Sequence, residues 1–243
     1  IGIEANKPDA IDLLNSKLQN YNGIEVVPLQ CRYPQGGEKQ LIDAIIRRQV
    51  ASGALPVSTG AVVQNVATAY AVYEAVQKNK PLIERVVTVT GKSVTSPGNF
   101  LARIGTPISQ LIDATEGLPA DTGKIVLGGP MMGRATANLS TPTTKGTSGI
   151  LIIPESEAHR YEPSPCIRCA KCVEACPMGL EPYLLSKVVA LGNLDMAEER
   201  YIYDCIECGC CSFTCPANLP LLDYIRLGKG EVMKMIRARA AKK

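Results

Sequence analysis

CIRCAKCVEACP at residues 166–177 and CIECGCCSFTCP at residues 205–216 together hold nine of the ten cysteines in this 243-residue chain. Each stretch contains the pattern C-x2-C-x2-C-x3-C, followed directly by proline. The second pattern repeats the first without a slip, since Cys205 follows Cys166 by 39 residues and the other three cysteines keep the same interval. This internal repeat is the most specific signal in the sequence.

The spacing is typical of two 4Fe-4S clusters. Three thiolates on a short loop can each reach a different iron of one cubane, and in two-cluster proteins the fourth cysteine ligates the other cluster. On that rule the first cluster takes Cys166, Cys169, Cys172 and Cys215, and the second takes Cys205, Cys208, Cys211 and Cys176. The two clusters are then expected to lie close together.

Zinc and disulfides are the alternatives. Structural zinc takes separated C-x2-C pairs, and disulfide frameworks belong mainly to small secreted domains whose cysteines are spread out. Here the 165 residues before the first cluster loop contain only Cys31. The pattern therefore favours iron–sulfur ligation in a reducing compartment. Cys31 and Cys210 fall outside it, and we expect them to be buried thiols that bind no metal.

The two loops carry different charges at equivalent positions. Arg168 and Lys171 of the first loop correspond to Glu207 and Cys210 of the second. Reduction adds negative charge to a cluster, so nearby cations should raise its potential and an anion should lower it. We therefore predict that the first cluster is the more easily reduced, unless these are only solvated surface charges.

Composition sets broad limits on function. The chain has 26 Lys and Arg against 23 Asp and Glu, which gives no reason to expect nucleic acid as a partner. No apolar run reaches the 18 residues needed to span a bilayer. The sequence opens without Met on IGIEANKPDA, so we expect an N-terminal part to precede it.

The patterns indicate an α+β multidomain chain in four parts. Residues 1–84 alternate helix and strand signals, including the strand IEVVPL (24–29) and a helix with Val62, Val66, Ala69, Tyr73 and Val76 on one face. Residues 85–155 contain the short β runs RVVTVTG, GKIVLGG and SGILIIP and one helix after Pro107, which predicts a β-grasp-like insert. Residues 160–228 form an α-helical two-cluster ferredoxin module. Residues 229–243 are a basic tail, either a frayed helix or a docking surface for an acidic partner or anionic lipid.

The order of these parts resembles the C subunit of the Rnf ion-translocating electron transport complex over essentially the whole chain. The likeness rests on IGIEANKPDAI, YPQGGEKQLI, GAVVQNVATAYAVYEAV and VLGGPMMG. The first two domains are also similar to the NADH- and FMN-binding subunit of respiratory complex I. Residues 1–84 would then be the C-terminal part of that α/β flavin/NADH domain.

This resemblance implies a set of flavin-site residues. The Gly36-Gly37 loop alone is no more than a turn, or a backbone cradle for phosphate. In the family a Tyr-x-x-Gly-x-Glu loop and a Val-x-Asn-Val-x-Thr helix start contact the flavin. The matching residues here form a predicted flavin-site wall: Tyr33, Gly36, Glu38, Val63, Asn65 and Thr68.

The resemblance also implies the function. We expect two 4Fe-4S clusters to relay electrons in a membrane-bound complex that couples ferredoxin:NAD+ oxidoreduction to ion translocation, with FMN and NADH bound by the complete subunit. The partners would be other subunits of the complex, with ferredoxin or NAD(H), and the protein would lie peripherally on the cytoplasmic face of the bacterial inner membrane, attached through those partners. No catalytic residue is evident, so we expect this chain alone not to be catalytic. The alternatives are a diaphorase-type subunit of a soluble hydrogenase or dehydrogenase, and a non-redox scaffold stabilised by its clusters.

Overall fold

The computed structural model describes residues 1–241 and divides them into two compact units. One unit contains residues 1–63, 170–208 and the chain from Leu221 on, and the other contains residues 64–169 and 209–220. Ten α-helices occur in the described residues: α1 (Pro8–Leu18), α2 (Glu38–Ile46), α3 (Val66–Lys78), α4 (Ile108–Asp113), α5 (Glu155–Ala158), α6 (Lys171–Glu174), α7 (Pro182–Ala190), α8 (Leu194–Glu199), α9 (Cys210–Phe213) and α10 (Leu221–Ala240). Seven strands occur there as well: β1 (Gly2–Glu4), β2 (Val27–Leu29), β3 (Glu84–Gly91), β4 (Gly98–Arg103), β5 (Thr122–Leu127), β6 (Arg134–Thr136) and β7 (Gly149–Pro154). The expected mixture of helices and sheets in several domains is confirmed.

The first unit combines the N-terminal segment with helices from the cysteine-rich region. β1 and β2 pair in parallel, with Gly2 opposite Val27 and Glu4 opposite Leu29. Its apolar core is helical, because α10 packs against α7 and α8. Leu185, Ile202 and Ile225 are almost completely buried in this unit.

Gly228 allows α10 to approach its neighbours closely. A Cβ atom built on Gly228 would lie 2.2 Å from Val189 Cγ2 and 3.1 Å from Ile202 Cδ1. No real side chain tolerates the shorter of these distances, so the contact requires glycine in the middle of a helix, where its flexibility is otherwise unfavourable.

The second unit is built on a five-stranded mixed sheet in the order β4-β3-β7-β5-β6. β3 pairs with β7 in parallel, and the other neighbours are antiparallel. Alternating residues of β3 and β7 point into the core, as their period-two pattern requires. Val87, Val89, Ile150 and Ile152 pack there against Ile108, Leu111 and Ile112 of α4.

Three features differ from the sequence-based expectations. β4 and β6 were not predicted, since GNFLAR and RAT are too short or too polar to show a strand pattern. α10 does not stop near Gly228, where the basic tail was expected to begin: it runs to Ala240, and Val232 is fully buried. Lys242 and Lys243 of that tail lie outside the described residues.

The third difference is the exposure of α3. Its predicted apolar face does not enter a core, since Val66 is 78% exposed and Val76 is 70% exposed.

The N-terminal segment of the first unit is also poorly buried. Of residues 1–63, only Ile42 is buried, because a two-stranded sheet offers little surface for helices to cover. In the described part of the chain, no helix is both long and apolar enough to cross a membrane.

Candidate metal centre

The two cysteine loops repeat in backbone conformation as well as in sequence. Arg168 and Glu207, which occupy equivalent positions, have φ angles of 55° and 58°. Ala170 and Gly209 follow with φ angles of 62° and 83°, and α6 and α9 begin at the next residue. Left-handed φ values are uncommon for residues other than glycine, and they concentrate where a ligand constrains the backbone. The repeat is therefore a structural one, consistent with two equivalent cluster loops.

The thiols of the two loops differ in exposure. Cys172 and Cys211, the third cysteines of each pattern, are both buried. Cys169 is exposed, whereas its counterpart Cys208 is buried. All ten cysteines are free thiols, so the disulfide alternative receives no support. Cys31 is exposed and not buried as expected, because it lies in the loop after β2.

A single zinc ion and a 4Fe-4S cluster require different arrangements of their cysteine ligands. Within residues 1–241, no three His, Cys, Asp or Glu side chains converge on a point where one metal ion could be held. Four ligands of a zinc ion must converge in that way. The four thiolates of a 4Fe-4S cubane each bind a different iron, so they need not converge on a single point. The chemistry of eight cysteines in two loops fits the predicted clusters.

Cys205 lies in an environment with opposing electrostatic effects. Burial raises the pKa of its thiol, and the nearby Cys176 and Cys208 raise it further. The backbone N–H of Glu207 donates to the Cys205 sulfur at 3.4 Å and lowers this pKa, as does the Lys229 ammonium. These two groups would stabilise Cys205 as a thiolate ligand. Cys176 is close enough to Cys205 to affect it, as a crossing fourth ligand of the second cluster would be.

Glu207 does not present the unpaired anion that the sequence suggested. Its carboxylate lies 3.1 Å from Arg226 Nε and 3.1 Å from Lys229 Nζ, both on α10. Lys229 also donates to the backbone carbonyl of Cys205 at 2.7 Å. The second loop therefore has two cations beside its one carboxylate. The predicted difference in potential between the clusters stays a prediction, but the Glu207 contribution to it must be smaller than an isolated charge would give.

Asp204, directly before the second loop, connects that loop to the N-terminal segment. Its carboxylate accepts hydrogen bonds from the backbone N–H of Gly53 at 3.2 Å and from the hydroxyl of Ser52. Lys39 Nζ on α2 lies 3.5 Å from the same carboxylate, and only 17% of the lysine side chain and 11% of the aspartate side chain are exposed. The tyrosine hydroxyl of Tyr33 donates to the carbonyl of Cys208 at 2.7 Å. Segment 1–63 and the second cysteine loop are therefore joined by direct polar contacts.

The predicted flavin-site wall is divided between the two units. Four of its residues belong to the first unit and two to the second. The hydroxyl of Tyr33 donates a hydrogen bond to the carbonyl of Cys208 in the second cysteine loop. Glu38 lies in the first turn of α2. Asn65 caps α3, because its side-chain oxygen accepts a hydrogen bond from the backbone N–H of Ala67 at 2.9 Å. The flavin contacts assigned to these residues stay a prediction.

Sequence reasoning missed Asp204 and Arg226, and it assigned Lys229 to the basic tail and not to the surroundings of a cysteine loop. Asp204 gave no signal, because its partners are more than 150 residues away along the chain. Arg226 and Lys229 are three positions apart on α10, which places them on one face. That spacing beside a cluster loop could have indicated a cationic contact.

Three family models match successive parts of the chain. Residues 1–74 match the Nuo51 FMN-binding domain, residues 86–135 the SLBB domain, and residues 158–216 the 4Fe-4S dicluster domain. The first and third of these models support the expected FMN and iron–sulfur clusters.

Relatives in several bacteria align with nearly the whole chain, and each is the C subunit of its complex. The relative from the proton-translocating ferredoxin:NAD(+) oxidoreductase complex of Clostridium ljungdahlii is 44% identical over 95% of this chain and 50% of its own length. The relative from the Na(+)-translocating ferredoxin:NAD(+) oxidoreductase complex of Acetobacterium woodii is 43% identical over 98% of this chain and 54% of its own length. The relative from the ion-translocating oxidoreductase complex of Rhodobacter capsulatus is 42% identical over 96% of this chain and 45% of its own length.

The chain spans about half the length of the curated relatives it matches. Its own residues are nonetheless aligned almost without exception, across all three domain types. The resemblance found in the sequence is confirmed, and this chain is a homologue of the C subunits of the ion-translocating oxidoreductase complexes.

Proposed function

We propose that this chain transfers electrons through two 4Fe-4S clusters in a membrane-associated complex that couples ferredoxin:NAD+ oxidoreduction to ion translocation. In this complex it is a subunit of an oxidoreductase. The other subunits hold it peripherally at the cytoplasmic face of the membrane. Ferredoxin and NAD(H) are the redox partners of the complex.

The observation that carries this proposal is the direct contact between segment 1–63 and the second cysteine loop. Segment 1–63 lies in the part of the chain that matches the FMN-binding domain. Tyr33 from that segment contacts the carbonyl of Cys208, and Ser52 and Gly53 contact Asp204. Electron transfer between a flavin and a cluster requires the two to be held at a fixed short separation. We infer that the second cluster is the one on the flavin side.

The protein residues hold and tune the clusters. A 4Fe-4S cluster, when bound, accepts and releases single electrons, and the protein sets its potential through charge, hydrogen bonds and solvent exposure. Cys205, Cys208, Cys211 and Cys176 would hold the second cluster beside Arg226 and Lys229. The first cluster would be held by Cys166, Cys169, Cys172 and Cys215, of which the first two are exposed. An exposed cluster suits exchange with another protein of the complex.

Adjacent cysteines in the second loop provide a sharp test. Cys211 belongs to the ligand pattern, and Cys210 does not. In membranes that carry the complete complex, we expect Cys211→Ser to abolish NAD+ reduction by reduced ferredoxin, followed at 340 nm, and to change one cluster signal in electron paramagnetic resonance. Cys210→Ser is the matched control, and it should retain both the activity and the two cluster signals.

Three outcomes would contradict the proposal. Equal loss of activity in both variants would mean that the loop matters only for folding. If reduced ferredoxin does not reduce the clusters, or if NAD+ does not reoxidise them, the clusters have only a structural role. Recovery of the activity entirely in the soluble fraction would instead favour a diaphorase-type subunit.

A further inference from the structure

The hydroxyl of Thr214 is a buried polar group for which the described residues provide no hydrogen-bond partner. Thr214 is partly buried as a residue, but its Oγ1 atom is shielded from solvent. Buried hydroxyls in proteins are nearly always paired, since an unpaired one forfeits its bond to water. Thr214 lies directly beside predicted cluster ligands, where a group outside the polypeptide is expected to be bound.

Other buried threonines in the chain behave in the ordinary way. The hydroxyl of Thr115 donates to the carbonyl of Ile112 at 2.7 Å, and that of Thr143 donates to the carbonyl of Arg103 at 2.9 Å. At the end of a helix, threonine commonly bonds to a carbonyl three or four residues back. At Thr214 the backbone N–H, and not the hydroxyl, bonds to the carbonyl of Cys210.

The position of Thr214 points to a sulfur atom as the partner. It follows α9 in helical conformation, three residues after Cys211 and directly before Cys215. Residues three apart on a helical turn share a face, so Thr214 lies on the side that carries Cys211. The equivalent residue of the first loop is Ala175, which has no hydroxyl. Of these two equivalent positions, only the one in the second loop therefore carries a hydroxyl.

We propose that the Thr214 hydroxyl donates a hydrogen bond to a thiolate or sulfide sulfur of the second cluster, the one that Cys211 binds. Hydrogen bonds to cluster sulfurs stabilise the added negative charge of the reduced state and so raise the potential. Thr214 is thus a positioning and tuning residue for that cluster. This inference rests on iron–sulfur ligation by the dicluster domain, and it does not depend on the ferredoxin:NAD+ activity of the complex.

The test compares Thr214→Val, which removes the hydroxyl at nearly constant shape, with Thr214→Ser, which keeps it. In the full chain loaded with iron and sulfide, we expect Thr214→Val to lower the equilibrium constant for one-electron reduction of the second cluster about tenfold, or ~59 mV. Thr214→Ser should match the wild type, and the first cluster should not change. Cys211→Ser and Cys172→Ser assign the two paramagnetic signals. Electron–nuclear double resonance in H2O should also show a proton coupling that disappears in D2O and that Thr214→Val lacks.

An unchanged potential in Thr214→Val, or a shift confined to the first cluster, would overturn the proposal. If Thr214→Val fails to bind iron, Thr214→Ala gives the same comparison with the residue type found at the equivalent position of the first loop. Reduced iron content with unchanged potentials in both variants would mean a purely structural role. The proposed function could fail independently, since a complex without ferredoxin:NAD+ activity would still show the shift.

Discussion

Replacing Gly228 with alanine should destabilise the first unit through a single steric contact. The new Cβ would lie 2.2 Å from Val189 Cγ2 and 3.0 Å from Val189 Cγ1. Carbon atoms prefer to be about 3.5–4.0 Å apart, so the shorter contact is more than 1 Å too close. Val189 is itself buried in α7 and has little room to move.

The size of the effect follows from two opposing contributions. Overpacking a core by one methyl group costs about 1–3 kcal/mol, and the closeness of this contact favours the upper part of that range. Alanine in place of glycine within a helix raises the stability of the helix by up to about 1 kcal/mol. We therefore expect Gly228→Ala to lower the free energy of unfolding by about 1–2 kcal/mol.

Gly230 provides the matched control on the same helix. A Cβ there meets no atom within 4 Å, so Gly230→Ala should gain the helix contribution without the clash. The difference between the two variants isolates the steric cost. In a double-mutant cycle, Val189→Ala should relieve part of that cost, with a coupling energy of about 1 kcal/mol or more.

The measurement is anaerobic urea unfolding of the cluster-loaded protein, followed by far-ultraviolet circular dichroism and by the visible absorbance of the clusters. Coincident transitions are needed before a free energy is extracted. If Gly228→Ala and Gly230→Ala unfold at the same urea concentration, the close approach of α10 and α7 is wrong.

Three further predictions concern the second cysteine loop. Tyr33→Phe removes the hydrogen bond to the Cys208 carbonyl and should lower the free energy of unfolding by about 0.5–1.5 kcal/mol in the same urea assay. An unchanged free energy of unfolding would show that this hydrogen bond does not stabilise the protein. Glu207→Gln removes the carboxylate that lies beside Arg226 and Lys229, so a redox titration should show a higher potential for the second cluster and not a lower one. Cys176→Ser should alter the same paramagnetic signal as Cys205→Ser, whereas a change in the other signal would exclude the crossed ligand arrangement.

Local patterns predicted the secondary structure well where one residue type repeats at a fixed period. GKIVLGG corresponds to β5, and SGILIIP corresponds to β7, because alternating branched residues line the core of the sheet. The helix after Pro107 is present as α4. The cysteine spacing predicted two loops, and their backbones do repeat.

Long-range contacts could not be predicted in the same way. The Tyr33 hydroxyl and the Cys208 carbonyl are 175 residues apart, and any tyrosine could make such a bond. The sequence showed the charge of Glu207 but not its ion pairs with Arg226 and Lys229 of α10. Ion pairs between residues 19 or more positions apart depend on how two elements pack. The exposure of α3 was missed for a related reason: an apolar stripe predicts that a helix has a face to bury, but it does not supply the surface that covers it.

The division of the chain into two discontinuous units also bears on the order in which they form during synthesis. Residues 64–169 leave the ribosome as one uninterrupted stretch and include the whole five-stranded sheet. Gly53 and Asp204 are 151 residues apart, so at roughly 5–20 residues per second the loop around Gly53 waits about 8–30 s for its partner to be translated. The segment around Gly53 is therefore translated early but reaches its final contacts late.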